Sequence, residues 1–380
     1  MFRRNNRDLI LSASSSLDSA RRSDAIAVAR VICILGVVYV HAWTGIGGGA
    51  LAELRGSAQD NLRWVLMEVF GRSAVPLLGL ISGWLVAGSR TTLDWGAHVR
   101  RKARTILLPM ILWNIIAIVA VGGAALLAGL QAPTPKSVGW VAQEVLIVSR
   151  NPDINVQMPF LRDLFLCMVA APFLIRLPTW ALAPIVAAAG LCHIAGLGPP
   201  VLMRASILFF FTTGIVARRW GWAERVAAFP LLPAMLPFLL LMGAQLYRAI
   251  AIGDTGLRSS QAALDLAVRV SAALAFWRIA WALAGSGVRP ALLRIEPYAF
   301  FLFCAHLILI WLGGPLIGKL SGRMGEPLYP LYLIAQPFIV LAVVVLVANA
   351  LQRVAPAAAR MLSGGRLSGR RQAASRTAMA

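Results

Sequence analysis

Long apolar runs dominate the pattern along the chain. A helix needs about 20 mostly apolar residues to cross a bilayer core, and ten segments reach or approach that length. They lack the alternation of polar and apolar residues typical of a membrane β-barrel. The pattern predicts an all-α, polytopic membrane bundle of about ten transmembrane helices, with nine or eleven left open because the fourth to sixth are short or interrupted. The predicted spans are Ala25–Trp43, Val65–Ala87, Ile106–Leu130, Met158–Arg176, Ala181–Leu197, Ala205–Ala217, Phe229–Tyr247, Leu266–Ala284, Tyr298–Leu316 and Leu328–Leu351.

The 36 Lys and Arg residues are divided unequally between the two sides of this map. If the N-terminus is cytoplasmic, 22 lie in cytoplasmic loops and tails and 9 lie on the opposite side. Cytoplasmic loops of membrane proteins carry such an excess, so we predict that both termini are cytoplasmic. The predicted division is a basic tail over residues 1–23, a transmembrane domain over 24–351 and an Arg- and Ala-rich tail over 352–380.

Composition agrees with a membrane protein. Hydrophobic residues make up 59% of the chain and charged residues 13%, whereas a soluble domain carries about 25% charge. The net charge of +21 could favour nucleic acid, but topology and anionic lipid headgroups already account for it. We therefore expect membrane lipids, and not nucleic acid, as partners. The four cysteines fall in separate apolar segments without ligand spacing, so no metal site is predicted.

The first predicted span carries two ionisable residues, Arg30 and His41. Such groups are costly inside a membrane, and each is therefore a candidate functional residue. Eleven residues make almost three helical turns, which places both side chains on one face, about 16 Å apart. Arg30 could bind an anionic ligand near the cytoplasmic end, and His41 could act as a base near the outer end. Alternatively, Arg30 extends to lipid headgroups and His41 bridges two helices.

A basic cluster precedes the third span. Arg101 and Arg104 are three residues apart at the start of a predicted helix, so together they could bind one phosphate. A phosphate-bearing cytoplasmic cofactor would suit this pair. The same cluster is also what the positive-inside rule predicts.

Three more polar residues lie within or beside predicted spans. Arg162 and Asp163 are adjacent at the outer end of the fourth span, where they either pair or turn about 100° apart to different partners. His306 lies inside an apolar run, where it is either hydrogen-bonded to a neighbouring helix or catalytic. Further candidates are Asp265, Arg269 and Arg278.

Five motifs follow one another in a recognisable order: Arg30-x10-His41, Val75–Leu85 (VPLLGLISGWL), Arg101-x-x-Arg104 before Leu108-Pro109, Phe160–Leu164 (FLRDL) and Tyr298–His306. With these motifs the chain resembles the acyltransferase family 3 membrane proteins, and in particular their fucose-4-O-acetylase-like branch. The resemblance covers residues 24–351.

This resemblance implies an enzyme of the bacterial inner membrane that moves an acyl group, usually acetyl from cytoplasmic acetyl-CoA, to a hydroxyl. The implied acceptor is a sugar of a cell-surface or exported glycan, such as an exopolysaccharide, a lipopolysaccharide or a lipid-linked precursor. By resemblance, Arg30, Arg101 and Arg104 bind the phosphates of acyl-CoA. His41 is the implied catalytic residue, acting as general base or as a transient acyl carrier. The implied sugar-binding residues are Arg162, Asp163 and His306.

Two other classes of protein fit the same polar-lined bundle. A transporter or flippase for a glycan or lipid-linked sugar needs polar groups between its helices as well, although no inverted repeat is evident in the chain. In a receptor or assembly protein, Arg30 and His41 would be only structural. Thioester turnover that depends on His41 distinguishes the enzyme from both.

Overall fold

A computed structural model describes residues 3–72, 75–251 and 258–367. These residues are mostly helical and contain no β-strand, which confirms the predicted fold class. The reason is general: within a bilayer, a helix satisfies its backbone hydrogen bonds internally. The helices are α1 (Arg3–Val40), α2 (Gly48–Glu53), α3 (Ala58–Val65), α4 (Val75–Ala87), α5 (Trp95–Lys102), α6 (Leu108–Ala117), α7 (Gly123–Ala128), α8 (Val138–Leu146), α9 (Pro159–Leu174), α10 (Thr179–Ile194), α11 (Ala205–Arg219), α12 (Trp222–Ala228), α13 (Leu231–Ala251), α14 (Arg258–Ala284), α15 (Arg289–Ser321), α16 (Tyr329–Val354) and α17 (Pro356–Leu362).

Each of the ten predicted spans coincides with a helix or a run of helices. Among the described residues, seven such units are long and apolar enough to cross a membrane. Two are composite: a π-helical stretch, Leu66–Arg72, extends α3 towards α4, and two further π-helical stretches, Ala103–Leu107 and Ile118–Gly122, join α5, α6 and α7. The other three predicted spans correspond to α9, α10 and α11, which have only 15 or 16 residues.

Both predicted tails contain helix in the structure. Helix α1 begins at Arg3, so it runs through most of the predicted N-terminal tail before it becomes the first span. The C-terminal segment turns back after α16, forms α17 and reaches the bundle again near Leu367, which is buried. Residues 368–380 of the predicted tail lie outside the described residues.

Helix α1 is surrounded by other helices. It packs against α4, α14, α15, α16 and the π-helical stretch that precedes α4. Many of its apolar side chains, including Ala25, Val28, Cys33 and Val38, are fully buried. Neighbouring helices on several sides therefore hold the residues of α1 in fixed positions.

Helices α4 and α11 approach closely because each has a glycine at the contact. A Cβ atom on Gly83 would collide with the carbonyl of Phe211, and one on Gly214 would collide with the carbonyl of Leu80. Small residues allow this close backbone approach between membrane helices. Gly83 belongs to the VPLLGLISGWL motif, so the motif has a packing role.

Candidate functional site

Two cavities lie along one face of α1. Arg30 and Ile34 line the first, which we call the Arg30 cavity; Val37 and His41 line the second, the His41 cavity. These four positions follow helical spacing, so Arg30 and His41 share a face of α1 as predicted. The Arg30 cavity has a volume of about 160 Å³ and the His41 cavity about 660 Å³.

In the Arg30 cavity, the guanidinium of Arg30 donates a hydrogen bond to Glu296 of α15 at 3.0 Å. Both side chains are partly exposed, and a partly exposed ion pair stabilises a fold by only about 0–1 kcal/mol. The pair therefore fixes where the guanidinium points more than it stabilises the bundle.

Arg366 is a second cation that lines this cavity. The sequence did not single it out as a candidate site residue. It comes from the segment after α17, donates to the carbonyls of Thr105 and Ser363, and lies 3.8 Å from the centre of the Phe300 ring. Burial and the nearby charge of Arg30 lower the pKa of Arg366 to about 10. Two cations thus line a narrow cavity that contains one carboxylate, Glu296.

Arg101 and Arg104 lie at the same end of the bundle but do not line the Arg30 cavity. Both side chains are exposed, on α5 and on the π-helical stretch that follows it. The carbonyl of Thr105, the next residue, accepts the hydrogen bond from Arg366. Arg104 therefore precedes by one residue the carbonyl that Arg366 binds, and the carbonyl of Arg101 accepts a hydrogen bond from the Thr105 hydroxyl.

His41 and His306 contact each other. Their ring centres are 5.4 Å apart, with the rings tilted by 37°. The two residues are separate candidates in the sequence, and the structure brings them together, His41 from the end of α1 and His306 from α15. His306 is fully buried, whereas His41 is partly accessible from the cavity.

The ring nitrogens of His306 have different surroundings. Its Nδ1 lies 2.8 Å from the carbonyl of Phe303 and 3.2 Å from that of Leu302. A carbonyl can only accept, so Nδ1 carries the proton and Nε2 has a free lone pair. Nε2 is buried and has no partner among the described residues, and it is therefore available to a proton on His41 or on a bridging water.

The backbone just after His41 is fixed by α16. The amide of Trp43 donates to Gln336 at 3.2 Å, and the hydroxyl of Tyr329 donates to the carbonyl of Trp43 at 3.1 Å. No ring hydrogen bond of His41 itself is found within the described part of the chain. His41 is therefore held in place by its backbone while its ring nitrogens stay free for a ligand.

The His41 cavity has polar walls. The lining residues include three arginines, Arg72, Arg204 and Arg269, together with His193 and Gln157. A third cavity, of about 1010 Å³, reaches His41 from the side of Trp311 and Lys319. His41 is therefore accessible from two directions at this end of the bundle.

Phe160 and Phe303 separate the Arg30 cavity from the His41 cavity. Both residues line both cavities, and their ring centres are 5.7 Å apart. Both side chains are buried. The two cavities are thus neighbours along α1, divided by a pair of aromatic rings.

Arg162 and Asp163 bind each other and a loop. Asp163 is fully buried and accepts hydrogen bonds from the Arg162 guanidinium at 2.8 Å and from the amides of Met203 and Arg204. Arg162 also donates to the carbonyls of Pro200 and Val201. Neither residue lines the cavities described above, so the pair positions the loop that ends at Arg204.

The further candidates on α14 are also paired. Asp265 binds the Arg269 guanidinium at 2.6 Å and lies 3.2 Å from His193 of α10. Arg278 donates to the carbonyl of Phe229. Arg269 lines the His41 cavity, and Arg278 does not.

Comparison with known proteins identifies the family. A family model described as an acyltransferase domain, Acyl_transf_3, matches residues 23–351, which include the helices that carry both histidines. The succinoglycan biosynthesis protein ExoH of Rhizobium meliloti (strain 1021) is 30% identical over 381 residues, covering 93% of this chain and 95% of ExoH. No solved structure matches the chain. The chain therefore belongs to the acyltransferase family 3 membrane proteins.

Proposed function

We propose that the protein transfers an acyl group, in the first instance acetyl, from acyl-CoA to a hydroxyl of an exported or cell-surface glycan. The observation that carries this proposal is the position of His41. Its ring has free nitrogens, contacts His306 and faces a cavity that is separated from the Arg30 cavity by two aromatic rings. Membership of the acyltransferase family supports the reaction type.

The Arg30 cavity is the proposed donor site, on the cytoplasmic side of the membrane. Arg30 and Arg366 line it, while Arg101 and Arg104 are exposed beside it. Guanidinium groups bind phosphates through paired, charge-assisted hydrogen bonds. The nucleotide end of acyl-CoA would lie against these arginines, and the narrow cavity would take the pantetheine arm towards His41.

The proposed reaction needs only acyl-CoA and the acceptor hydroxyl as reactants. His41 removes the proton from the acceptor hydroxyl, whose oxygen then attacks the thioester carbonyl and forms the ester bond as the carbon–sulfur bond breaks. The departing thiolate takes up that proton from His41, which leaves CoA-SH, the acylated sugar and a neutral His41. Acylation of His41 as an intermediate step gives the same products.

The proposed acceptor is a glycan, bound in the outer cavities next to His41. The name of the ExoH relative refers to the biosynthesis of a polysaccharide, succinoglycan. The His41 cavity and the third cavity, which Trp311 and Lys319 line, together provide polar walls and a volume that suits sugar residues. A lipid-linked glycan could reach them from the outer half of the membrane, which fits a bacterial inner-membrane location.

The test is CoA release by the purified full-length protein with acetyl-CoA and a pool of bacterial oligosaccharides and lipid-linked glycans. We expect acceptor-dependent CoA release in the wild type and a loss of about 10²- to 10⁴-fold in His41→Ala, the usual contribution of a general base. His98→Ala is the matched control, because His98 is a histidine of α5 that lines none of the three cavities.

Equal activity of the His41→Ala and wild-type proteins would contradict the role of His41. No CoA turnover and no acetyl-CoA binding by the wild type would contradict the acyltransferase proposal. Glycan movement across proteoliposomes without CoA consumption would then support the transporter alternative.

A further inference from the structure

Gln157 is a buried glutamine with an unused hydrogen-bond acceptor. Only 4% of the residue is exposed, and its Oε1 has no hydrogen-bond partner among the described residues. The side chain lines the His41 cavity. A buried carbonyl oxygen without a donor costs free energy, so we expect a donor that is not part of the chain at this position.

A chain of buried amides fixes the direction of the Gln157 side chain. The side-chain amide of Asn114 donates to the carbonyl of Val145 at 3.1 Å, and that of Asn155 donates to Asn114 Oδ1 at 3.1 Å. Gln157 Nε2 in turn lies 3.5 Å from both Asn155 Oδ1 and the carbonyl oxygen of Cys304. The reverse orientation would set Oε1 against two oxygens that cannot donate. The chain of donors therefore ends in Gln157 Oε1 as a free acceptor.

Gln157 lies beside the two aromatic rings that separate the cavities. Its backbone carbonyl accepts a hydrogen bond from the amide of Phe160, and its side chain reaches Cys304, the residue after Phe303. Of the three cavities, Gln157 lines only the His41 cavity. A molecule that passes between the two rings would therefore emerge next to Gln157.

The pantetheine arm of the proposed acyl-CoA donor carries a group that suits this acceptor. One of its amide N–H groups lies two methylene groups from the sulfur, so this N–H follows closely behind the thioester as the arm extends towards His41. A sugar hydroxyl or a water molecule could also donate to Oε1. The position of Gln157 favours the arm, because the arm has to pass between the two rings, whereas a sugar can occupy any part of the cavity.

We propose that Gln157 Oε1 accepts a hydrogen bond from the pantetheine amide nearest the thioester. The proposal rests on the function proposed above, because it takes acyl-CoA as the donor. This bond would fix how far the arm advances, and so hold the thioester carbonyl next to His41, where the acceptor hydroxyl attacks. Gln157 is therefore a donor-binding residue that takes no part in proton transfer.

Binding to the purified full-length protein, measured by calorimetry without any acceptor, tests this contact. The two ligands are acetyl-CoA and its analogue in which an ester oxygen replaces the amide N–H nearest the sulfur. The variants are Gln157→Met, which keeps the length of the side chain and removes the amide oxygen, and Gln245→Met as the control. Gln245 is a glutamine of α13 that lines none of the three cavities.

We expect the wild type to bind the analogue about tenfold more weakly than acetyl-CoA, because the analogue leaves a buried acceptor unpaired. Gln157→Met should bind acetyl-CoA more weakly than the wild type does, and should bind the two ligands within about threefold of each other. Gln245→Met should discriminate between them as the wild type does.

Equal binding of the two ligands by the wild type would overturn the proposal, and this result does not depend on the folding of any variant. Discrimination that persists in Gln157→Met would also overturn it, because the amide then has another partner. Unchanged acetyl-CoA binding by Gln157→Met, with slower acceptor-dependent CoA release, would assign Gln157 to the acceptor instead. No acetyl-CoA binding by the wild type would overturn both this contact and the proposed function, whereas binding without discrimination overturns the contact alone.

Discussion

At the residue scale, the two histidines of the site differ in how they are held. His306 is fixed by hydrogen bonds from Nδ1 to carbonyls of its own helix, while the ring of His41 is free and only its backbone is held. The His41 ring is therefore suited to exchange protons with a substrate, and the His306 ring is suited to orient the His41 ring. We infer that His306 is a positioning residue for His41.

The variant His306→Ala tests this role through a separation of kcat from KM. We expect kcat to fall about tenfold, the effect of one lost hydrogen bond to a charged group, while KM for acyl-CoA stays within a factor of two or so. Asn at position 306 keeps a hydrogen-bonding side chain and should restore part of kcat. A rise in KM with unchanged kcat would show that His306 contacts the donor instead.

Arg30 gives a second prediction at this scale. Arg30→Ala should raise KM for acyl-CoA by about 10-fold or more, because a charge-assisted bond to phosphate is lost. Glu296→Gln keeps the cavity shape and an acceptor for Arg30 and removes only the negative charge, so it should raise KM much less. A loss of membrane-inserted protein in Arg30→Ala, measured by fractionation, would point to a structural role.

At the element scale, the C-terminal segment adds a cation to the proposed donor site. Helix α17 turns the chain back so that Arg366 stacks on Phe300 beside Arg30. Truncation after Leu351 should therefore weaken acetyl-CoA binding about 10-fold or more, whereas truncation after Leu367 should leave it unchanged. Arg366→Gln in the full chain separates loss of the cation from loss of α17. Equal binding by all three proteins would exclude a role for this segment.

The contact between α4 and α11 depends on two glycines. Gly214→Leu would place a side chain against the backbone of Leu80, so the helices must separate. We expect a loss of about 1–3 kcal/mol of stability, the usual effect of overpacking, seen as a lower unfolding temperature in detergent. Gly243→Leu is the control, because nothing lies within 4 Å of a Cβ at that position.

Sequence patterns predicted some elements of the site better than others. Helical spacing predicted that Arg30 and His41 share a face, because both lie on one helix. It could not predict the contact of His41 with His306, or the return of Arg366, since these depend on how distant helices pack. The sequence left open whether Arg162 and Asp163 pair or have different partners, and only the fold shows that they pair and hold the loop before Arg204.

At the scale of the whole molecule, the positions of charge and cavities agree with one orientation. Arg30, Arg101, Arg104 and Arg366 lie at one end of the bundle and His41 at the other, and the excess of basic residues predicts that the first end is cytoplasmic. Reporter fusions should show both termini on the cytoplasmic side. A reporter exported at either terminus would contradict the orientation and the proposed donor side.

The number of spans depends on α9, α10 and α11, whose length alone does not decide whether they cross the membrane.

Phe160 and Phe303 have a consequence for the cell as well as for the reaction. Cavities that enter a membrane from both faces thin its insulating layer, and a continuous file of water between them would conduct protons down the membrane potential. The contacting rings of Phe160 and Phe303 interrupt such a file of water with a few ångströms of apolar side chain. An acyl group could displace the rings briefly, and their return would restore the electrical resistance.

In proteoliposomes holding a pH gradient, the double variant Phe160→Ala/Phe303→Ala should dissipate the gradient faster than the wild type. Equal rates would show that the barrier lies elsewhere. The membrane potential, as well as the chemistry of acyl transfer, therefore requires two large apolar side chains at these positions.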